Sequence, residues 1–345
     1  MKLAVVLYNL GGPDSPEAVE PFLINLFSDP AIISAPGFVR RPLARFIARR
    51  RAPVARDIYA KLGGRSPILE ETEAQAEALE RVLAARGYEA RAVVAMRCWK
   101  PFTADAAREI SAWKPDQIVT LPLYPQFSTT TTASSESAWN EEALNAGISA
   151  PQSRICCYPM AMGFVAAEVG LIRESLGKAK TEISYRLLLS AHGLPERVIA
   201  RGDPYRWQVE HSAAAIVAAL DWPKLDWKVC YQSRVGPLKW IGPATDAEIR
   251  RAGSDGKGLI VAPIAFVSEH SETLVELDIE YGKLARETGV PDYIRVPAVG
   301  TRPEFISELA DLVERALRSL RPVTCGEGRL CPKNLARCGF SNGVA

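Results

Sequence analysis

His192 is the residue of this chain best placed for acid–base or metal chemistry. It directly follows the apolar run Leu187–Ala191, which is typical of a buried strand, and a glycine and a proline then end that strand. Ligands of open α/β sheets bind at the carboxyl ends of the strands, so this position presents an imidazole to a cleft. The alternative is a histidine that only hydrogen-bonds a neighbouring loop, and His192 alone does not decide between the two.

A second polar cluster combines His270 with a row of carboxylates. Glu272, Glu276 and Glu280 are four residues apart, which places them on one face of a predicted helix. Such a row usually marks a solvated helix face, because like charges at this spacing repel one another by roughly 0.2–0.5 kcal/mol per pair. Here the row starts at a strand end beside a histidine, which favours a cation path or a proton relay. Oxygen and imidazole ligands together suit divalent iron, among other metals.

Three further stretches place polar side chains after predicted strands. Met96–Trp99 supplies an arginine and an indole, a combination that suits a planar apolar ligand. Leu123–Ser135 is rich in hydroxyl groups and also carries Tyr124, and Tyr231–Pro237 plays the same part in the second half of the chain. Each stretch alone is weak, because hydroxyl runs are common in turns and strand-end arginines are often structural ion pairs.

The composition is that of an ordinary globular protein with two domains. The chain has 345 residues, of which 48% are hydrophobic and 24% charged, and its net charge is +2. Basic residues do not form long tracts with interleaved aromatics, so we expect no nucleic-acid partner. The amino-terminal stretch predicts a first strand rather than a signal peptide, and no apolar run is long enough to span a bilayer, so we expect a cytoplasmic protein.

Strands alternate with helices along the whole chain, which predicts an α/β protein made of two similar Rossmann-like domains, each with a four-stranded parallel sheet flanked by helices. The first domain is expected to comprise residues 1–178 plus 303–322, and the second residues 179–302, which carry His192 and Glu272. Residues 323–345 form a Cys-rich tail. A cleft is expected between the two domains. The predicted strands are Leu3–Leu10, Glu89–Met96, Gln117–Leu123, Arg154–Tyr158, Tyr185–Ala191, Trp227–Tyr231, Gly258–Phe266 and Asp292–Val296.

The stretch Ala31–Arg51 interrupts this pattern and is predicted to be a surface lip. It mixes apolar residues with six arginines and two prolines and contains no acid. Ile58–Leu62 is predicted to be a separate helical turn after the lip. A surface of this kind can insert into the lipid headgroup layer. The alternative is an ordinary helix packed on the domain.

Three cysteines are clustered near the end of the chain, at Cys325, Cys331 and Cys338. The chain has seven cysteines, an odd number that suits reduced thiols or metal ligands better than a disulfide framework. The tail shows no apolar periodicity, so core packing does not explain these thiols. We expect them to hold a metal.

Seven motifs in order make the chain resemble the ferrochelatases, the enzymes that insert ferrous iron into protoporphyrin IX. The motifs are NLGGP at Asn9–Pro13, GGRSPI at Gly63–Ile68, LPLYPQFSTTTT at Leu121–Thr132, SAHGLPE at Ser190–Glu196, RGDPY at Arg201–Tyr205, YQSRVGPLKWIGP at Tyr231–Pro243 and FVSEHSETLVELD at Phe266–Asp278. The resemblance covers almost the whole chain.

The resemblance implies a porphyrin in the cleft and a catalytic pair, His192 facing Glu272, that shares metal delivery and removal of the two pyrrole protons. Which residue does which is left open. His270, Glu276 and Glu280 complete the expected metal-binding set. The expected porphyrin-binding residues are Arg51, Tyr59, Ser66, Arg97, Tyr124 and Ser190.

Two positions depart from the family pattern. The family often has an aromatic residue where this chain has Cys98, and a basic lip position is here Val54. These departures bear on how the porphyrin faces are packed and how its propionates are bound.

The resemblance also implies a 2Fe-2S cluster, because some ferrochelatases hold one with carboxyl-terminal cysteines and one distant cysteine. With Cys325, Cys331 and Cys338 as three ligands, the fourth is expected to be Cys156 or Cys157, and Cys157 is our choice. Zinc is the competing occupant, since four thiolates suit it as well.

These ligand types do not determine which metal is inserted, so a chelatase for cobalt or for coproporphyrin is one alternative. A tetrapyrrole carrier without catalytic activity is another, although the presence of both His192 and Glu272 argues against it. Because the porphyrin is membrane-soluble, we favour peripheral association of the lip with the inner face of the cytoplasmic membrane. The expected assembly is a monomer or a homodimer.

Overall fold

The computed structural model describes residues 1–234, 236 and 238–342. The chain folds as two compact units. The first comprises Met1–Cys157, Leu309–Arg329 and the residues from Gly339 on, and the second comprises Tyr158–Glu308 and Leu330–Cys338. This division falls earlier in the chain than the expected boundary after residue 178. In the part of the chain that is described, no helix is long and apolar enough to cross a membrane.

Both units are built on parallel sheets, as predicted. The strands are β1 (Lys2–Asn9), β2 (Glu89–Met96), β3 (Gln117–Pro122), β4 (Gln152–Cys157), β5 (Tyr185–His192), β6 (Trp227–Gln232), β7 (Gly258–Pro263), β8 (Tyr293–Arg295) and β9 (Val323–Thr324). The first sheet has the order β2-β1-β3-β4-β9 and the second the order β6-β5-β7-β8. The strand predictions are confirmed to within a few residues at each end.

The first sheet has five strands, so the prediction of four was wrong for this unit. The fifth strand, β9, comes from the segment that was assigned to the Cys-rich tail, and it pairs with β4 through Ile155 and Cys157. Two residues are too few for any alternation of apolar and polar side chains to show in the sequence. Only the pairing with β4 defines this strand.

Helices flank both sheets. They are α1 (Val19–Ser28), α2 (Gly37–Ala60), α3 (Ile68–Ala85), α4 (Thr103–Trp113), α5 (Thr132–Asn145), α6 (Met162–Leu176), α7 (Glu196–Ala200), α8 (Tyr205–Leu220), α9 (Thr245–Ser254), α10 (Tyr281–Glu287) and α11 (Pro303–Leu317). A π-helix, Glu272–Glu280, runs directly into α10. The helix that the acid row predicted is therefore present, but its first part has the wider turn of a π-helix.

Residues 37–51 of the predicted lip and 58–60 of the predicted helical turn belong to one helix, α2, whereas residues 31–36 precede that helix. Pro42 and Pro53 lie inside α2, where proline normally breaks a helix because it lacks an N–H group. The small buried residues Ala44, Ala48 and Ala52 recur every four positions and give α2 a narrow face that packs closely. Ala48 and Ala52 belong to the same buried cluster as Val19, Phe22 and Leu23 of α1. This packing holds the helix through both prolines.

The second sheet positions the candidate catalytic histidine. β5 is a central strand, and its last residue, His192, lies beside Gln232 at the end of β6. On the other side, Ser190 pairs with Pro263 at the end of β7. The carboxyl ends of three strands therefore meet around His192.

Close packing at Gly253 seats the helix that carries the acid row. A Cβ atom at Gly253 in α9 would lie 2.0 Å from the carbonyl oxygen of Thr288, the residue that follows α10. Glycine is required here because α9 and the end of α10 approach more closely than any side chain allows. The position of α10 in turn fixes the end of the π-helix.

Candidate active site

His192 and Glu272 form a hydrogen bond in the second unit. His192 ends β5, and Glu272 is the first residue of the π-helix, 80 positions further along the chain. The His192 Nδ1 and Glu272 Oε2 atoms are 2.8 Å apart, and both side chains are partly exposed. The structure therefore brings together the two residues that the sequence named as a catalytic pair.

The hydrogen bond fixes the tautomer of the imidazole. An ionised carboxylate only accepts hydrogen bonds, so His192 Nδ1 must carry the proton that is donated to Glu272. In the neutral ring the lone pair then resides on Nε2. Among the described residues, none makes a hydrogen bond to that nitrogen. His192 is thus arranged as a base with its accepting atom available.

The two groups shift each other's pKa. Burial lowers the pKa of His192, but the neighbouring Glu272 carboxylate outweighs that effect, and the net pKa is raised. Burial would raise the pKa of Glu272, but the charge and hydrogen bond of His192, with help from His270 and Ser233, lower it to about 2. Glu272 is therefore ionised throughout the neutral range and stabilises a proton on His192.

A second acid of the row, Glu276, is held by donors behind this pair. Its Oε1 atom accepts hydrogen bonds from the backbone N–H of Ser233 at 2.9 Å and from the Tyr281 hydroxyl at 3.0 Å. Gln232 Nε2 donates to Glu276 Oε2 at 3.2 Å and to the Glu272 carbonyl at 3.2 Å. Burial and the nearby Glu272 charge raise the pKa of Glu276. The third acid of the row, Glu280, is exposed.

His270 lies in the loop that precedes the π-helix. Its Nδ1 atom donates to the Ser268 carbonyl at 3.1 Å, and its ring lies 4.6 Å from the ring of Phe266. Burial lowers the pKa of His270, which favours the neutral form of its imidazole. The neighbouring Glu269 accepts from Arg295 at 2.7 Å and from the Ala298 N–H at 3.0 Å, which anchors the loop.

Ser190, which was expected to bind the porphyrin, lies in β5, two residues before His192. It is fully buried, and its hydroxyl donates to Gln232 Oε1 at 2.8 Å and lies 3.2 Å from the Thr245 hydroxyl. Its side chain points into the protein because alternate residues of a strand face opposite sides. Ser190 therefore orients Gln232, which in turn holds Glu272 and Glu276.

The other expected porphyrin residues belong to the first unit. Arg97 makes an ion pair with Asp29 at 3.0 Å and donates from Nε to Ser134 Oγ at 2.7 Å. This is the structural ion pair that the sequence left open as an alternative. Tyr59 and Ser66 are buried, whereas Arg51 is exposed. Tyr124 is half-buried, and burial raises its pKa.

The cysteines expected to bind metal are divided between the two units. Cys157 and Cys325 belong to the first unit, and Cys331 and Cys338 to the second. Cys157 is the β4 residue that pairs with Thr324 of β9, directly before Cys325. Gln208 Nε2 donates to the Cys331 sulfur at 3.1 Å. Within the described ranges, no group of three or more His, Cys, Asp or Glu side chains is arranged to hold a metal ion.

Gln232 and Ser233 are functional residues that the sequence did not single out. They lie in the stretch Tyr231–Pro237, which was named only as a polar loop, and Val235 and Pro237 of that stretch lie outside the described residues. No local pattern distinguishes them, because their role depends on the pairing of β5 with β6 and on a turn after β6. Only the assembled sheet places them beside the acids.

The fold is similar to that of solved chelatase structures. It is similar to the sirohydrochlorin chelatase SirB from Bacillus subtilis subspecies spizizenii in complex with cobalt, with a TM-score of 0.54 and 12% identity over 92% of this chain and 96% of that chain. A structure of SirB from Bacillus subtilis with Fe3+ gives a TM-score of 0.50 at 14% identity, with the same shares covered. At these identities the likeness concerns the fold alone.

Closer relatives define the family. Residues 2–317 match the ferrochelatase family. The chain is 56% identical over 346 residues to the ferrochelatase of Phenylobacterium zucineum, covering 99% of each chain. It is 54% identical over 347 residues to that of Caulobacter vibrioides (strain NA1000 / CB15N), covering 100% of this chain and 99% of the relative. The chain belongs to the ferrochelatase family, and it is accordingly a metal-chelating lyase of the terminal step of heme biosynthesis.

The carboxylate of Glu272 controls the titration of His192, and this can be measured directly. In Glu272→Gln protein the pKa of His192 should fall below the value of about 6.5 for a free histidine, because burial persists while the charge that raises the pKa is gone. The chain has three histidines, so histidine NMR titration resolves each of them. The exposed Glu280 supplies the control, and Glu280→Gln should change the His192 pKa little. An unchanged or raised pKa in Glu272→Gln protein would contradict the assigned pairing.

Proposed function

We propose that this chain inserts ferrous iron into protoporphyrin IX and releases two protons, with His192 and Glu272 as the catalytic pair. The observation that carries this proposal is the hydrogen bond between His192 Nδ1 and Glu272 Oε2, which leaves His192 Nε2 and Glu272 Oε1 unengaged by the described residues. One nitrogen base and one carboxylate oxygen are what the exchange of protons for a cation requires.

The chemistry follows from the geometry of a porphyrin. The two pyrrole protons point inward, so each must leave before the metal can bind all four nitrogens. Neutral His192 accepts such a proton on Nε2, and the adjacent Glu272 carboxylate stabilises the resulting imidazolium. Two protons leave as one doubly charged cation enters, so charge is conserved overall. The histidine must release the first proton before it accepts the second.

His270, Glu276 and Glu280 are proposed to guide the cation toward the pair. Carboxylate oxygens and a neutral imidazole are suitable ligands for ferrous iron. The lowered pKa of His270 supports this role, because a protonated imidazole could not bind a metal ion. The series of acids runs from the exposed Glu280 to the partly exposed Glu276 and Glu272.

Arg51, Tyr59, Ser66, Arg97 and Tyr124 are proposed to contact the porphyrin. Arg51 has an exposed guanidinium that can bind a propionate, and about a quarter (25%) of the Arg97 side chain is exposed beyond its ion pair with Asp29. These residues would orient the ring, while the acid–base chemistry stays with His192 and Glu272.

Replacement of the base provides the direct test. His192→Ala should reduce heme formation at least 100-fold, since general-base catalysis contributes about that much or more, while porphyrin binding measured by fluorescence quenching is retained. His211→Ala is the matched control, because His211 bonds the Trp207 carbonyl in α8 and should be dispensable. Assays are run anaerobically with ferrous iron and protoporphyrin. Turnover by His192→Ala protein at the wild-type rate would refute the assignment.

We further propose that the amino-terminal half of α2 associates with the membrane surface. This part of the helix exposes Phe38 (81%), Phe46 (57%) and Val39 (44%) among its arginines, an arrangement typical of interfacial helices. Anionic lipid attracts each nearby basic residue by about 1 kcal/mol.

Vesicle binding tests this proposal. Wild-type protein should co-sediment with vesicles containing phosphatidylserine more than with neutral ones, and a Phe38→Ser/Phe46→Ser variant should lose most of that binding because its apolar anchor is gone. Leu144→Ser is a matched control, because Leu144 is 80% exposed on another helix. Binding that does not depend on anionic lipid, or that the double variant retains, counts against the proposal.

The 2Fe-2S cluster is proposed to be held by Cys157, Cys325, Cys331 and Cys338. Thiolates are the usual ligands of such a cluster. In the pairing of β4 with β9, Cys157 lies opposite Thr324, the residue directly before Cys325. Cys156, the residue before Cys157 in β4, is the alternative fourth ligand. When bound, the cluster would supply a redox-active, structure-stabilising group.

Metal analysis distinguishes the cluster from zinc. Protein purified without oxygen should contain about two irons and two sulfides per chain, with visible absorption that dithionite bleaches, and Cys157→Ser should lose this absorption. Cys230→Ala serves as the control because burial raises the pKa of Cys230 to about 12 and keeps it a thiol in the second sheet. Stoichiometric zinc in colourless protein would exclude the cluster, and a cluster retained in Cys157→Ser protein would exclude that ligand.

A further inference from the structure

Ser233 directly follows β6 and has an unusual backbone. Its φ angle is 62°, in the left-handed region that residues other than glycine rarely adopt. Strained residues of this kind persist where the surrounding structure fixes them, and they are frequent at functional sites. The hydrogen bonds of Ser233 indicate what its conformation achieves.

The left-handed turn lets one residue bind both acids of the active site. The Ser233 N–H donates to Glu276 Oε1 at 2.9 Å, and its hydroxyl lies between Glu272 Oε2, at 3.1 Å, and Glu276 Oε2. The two carboxylates are thus tied to one short polar side chain.

This arrangement engages one oxygen of Glu272 and spares the other. Oε2 accepts from His192 Nδ1 at 2.8 Å and from Ser233 Oγ at 3.1 Å. Within the residues that the structure describes, no group hydrogen-bonds Oε1. The His192 N–H and, when its proton faces Glu272, the Ser233 hydroxyl both bind Oε2, so the carboxylate is oriented with Oε1 directed away from these donors.

The hydroxyl also couples the two acids. A serine hydroxyl has a single proton and can donate it to only one of Glu272 and Glu276 at a time. When a cation binds one carboxylate, the proton can turn to the other by rotation about the Cβ–Oγ bond, without movement of heavier atoms. The two acids can therefore receive a cation in succession at little structural cost.

We propose that Ser233 is a positioning residue of the iron step, which presents Glu272 Oε1 to the incoming ferrous ion and links Glu272 to Glu276. The inference rests on the proposed function and extends it to a residue that touches neither the iron nor the porphyrin. The proposal predicts different effects on the two substrates, because loss of Ser233 weakens the binding of iron and leaves porphyrin binding unaffected.

Ser233→Gly is the informative variant, because glycine adopts a φ of 62° freely and the change removes the hydroxymethyl side chain without straining the backbone. It keeps the backbone N–H that donates to Glu276. The KM for ferrous iron should rise about tenfold, as expected for the loss of a hydrogen bond to a charged group, while the KM for porphyrin stays within twofold of wild type. Ser233→Ala should show the same split, and Ser233→Thr, which restores a hydroxyl, should recover part of the iron affinity.

Lys224→Gly is the matched control for relief of backbone strain. Lys224 is exposed and has a φ of 61°, and this variant should keep both KM values of wild type. The thermal midpoint of each variant shows that it is folded. An iron KM within twofold of wild type in Ser233→Gly protein, or equal increases in the KM for both substrates, would overturn the inference.

Calorimetric titration of Co2+ into substrate-free protein keeps this inference separate from the proposed function. The binding heat that is missing in His192→Ala protein is the heat of Co2+ binding at this site. In Ser233→Gly protein the affinity of this site for Co2+ should be about tenfold weaker. If wild-type protein failed to turn over iron and protoporphyrin, the proposed function would fail, while the Co2+ affinities would still support or refute the role of Ser233. Equal Co2+ affinities in wild-type and Ser233→Gly protein refute it.

Discussion

The hydrogen bond between His192 and Glu272 is the interaction on which the proposed chemistry of this protein depends. It joins the last residue of a central strand to the first residue of the π-helix. The same contact fixes the tautomer of the ring, raises the pKa of His192 and keeps Glu272 ionised. The sheet register and the close packing at Gly253 matter for function because they keep these two side chains within hydrogen-bonding distance.

The second constraint is the proximity of two acids. Glu272 and Glu276 would repel each other. Glu272 is paired with His192, and among the described residues Glu276 accepts hydrogen bonds from the neutral groups of Gln232, Ser233 and Tyr281 and from no lysine or arginine. Neutral donors stabilise the carboxylates without cancelling their charge. In the proposed function, the negative potential that remains at Glu276 attracts the divalent cation, and an ion pair with a basic side chain would remove that potential.

The sequence predicted what is encoded locally and missed what arises from assembly. Apolar runs that end in polar residues located His192, and spacing located the acid row. The stretch Ala31–Arg51 was predicted only as a surface lip, because the sequence does not show how closely the alanine face of α2 packs or that the helix continues through Pro42. The π-helix differs from an α-helix by one residue per hydrogen bond, which no pattern of side chains reveals. Ser190 and Ser233 resemble ordinary loop or strand serines until the strands are paired.

The short strand β9 covers the edge of the first sheet at β4. β4 would be the edge of the first sheet without it, with a row of unpaired backbone groups open to another chain. Val323 and Thr324 form β9 and pair with β4 at that edge. A strand of two residues has too few unpaired backbone groups to form a new edge. The segment beyond the last helix thus protects the sheet from intermolecular strand addition, in addition to carrying its cysteines.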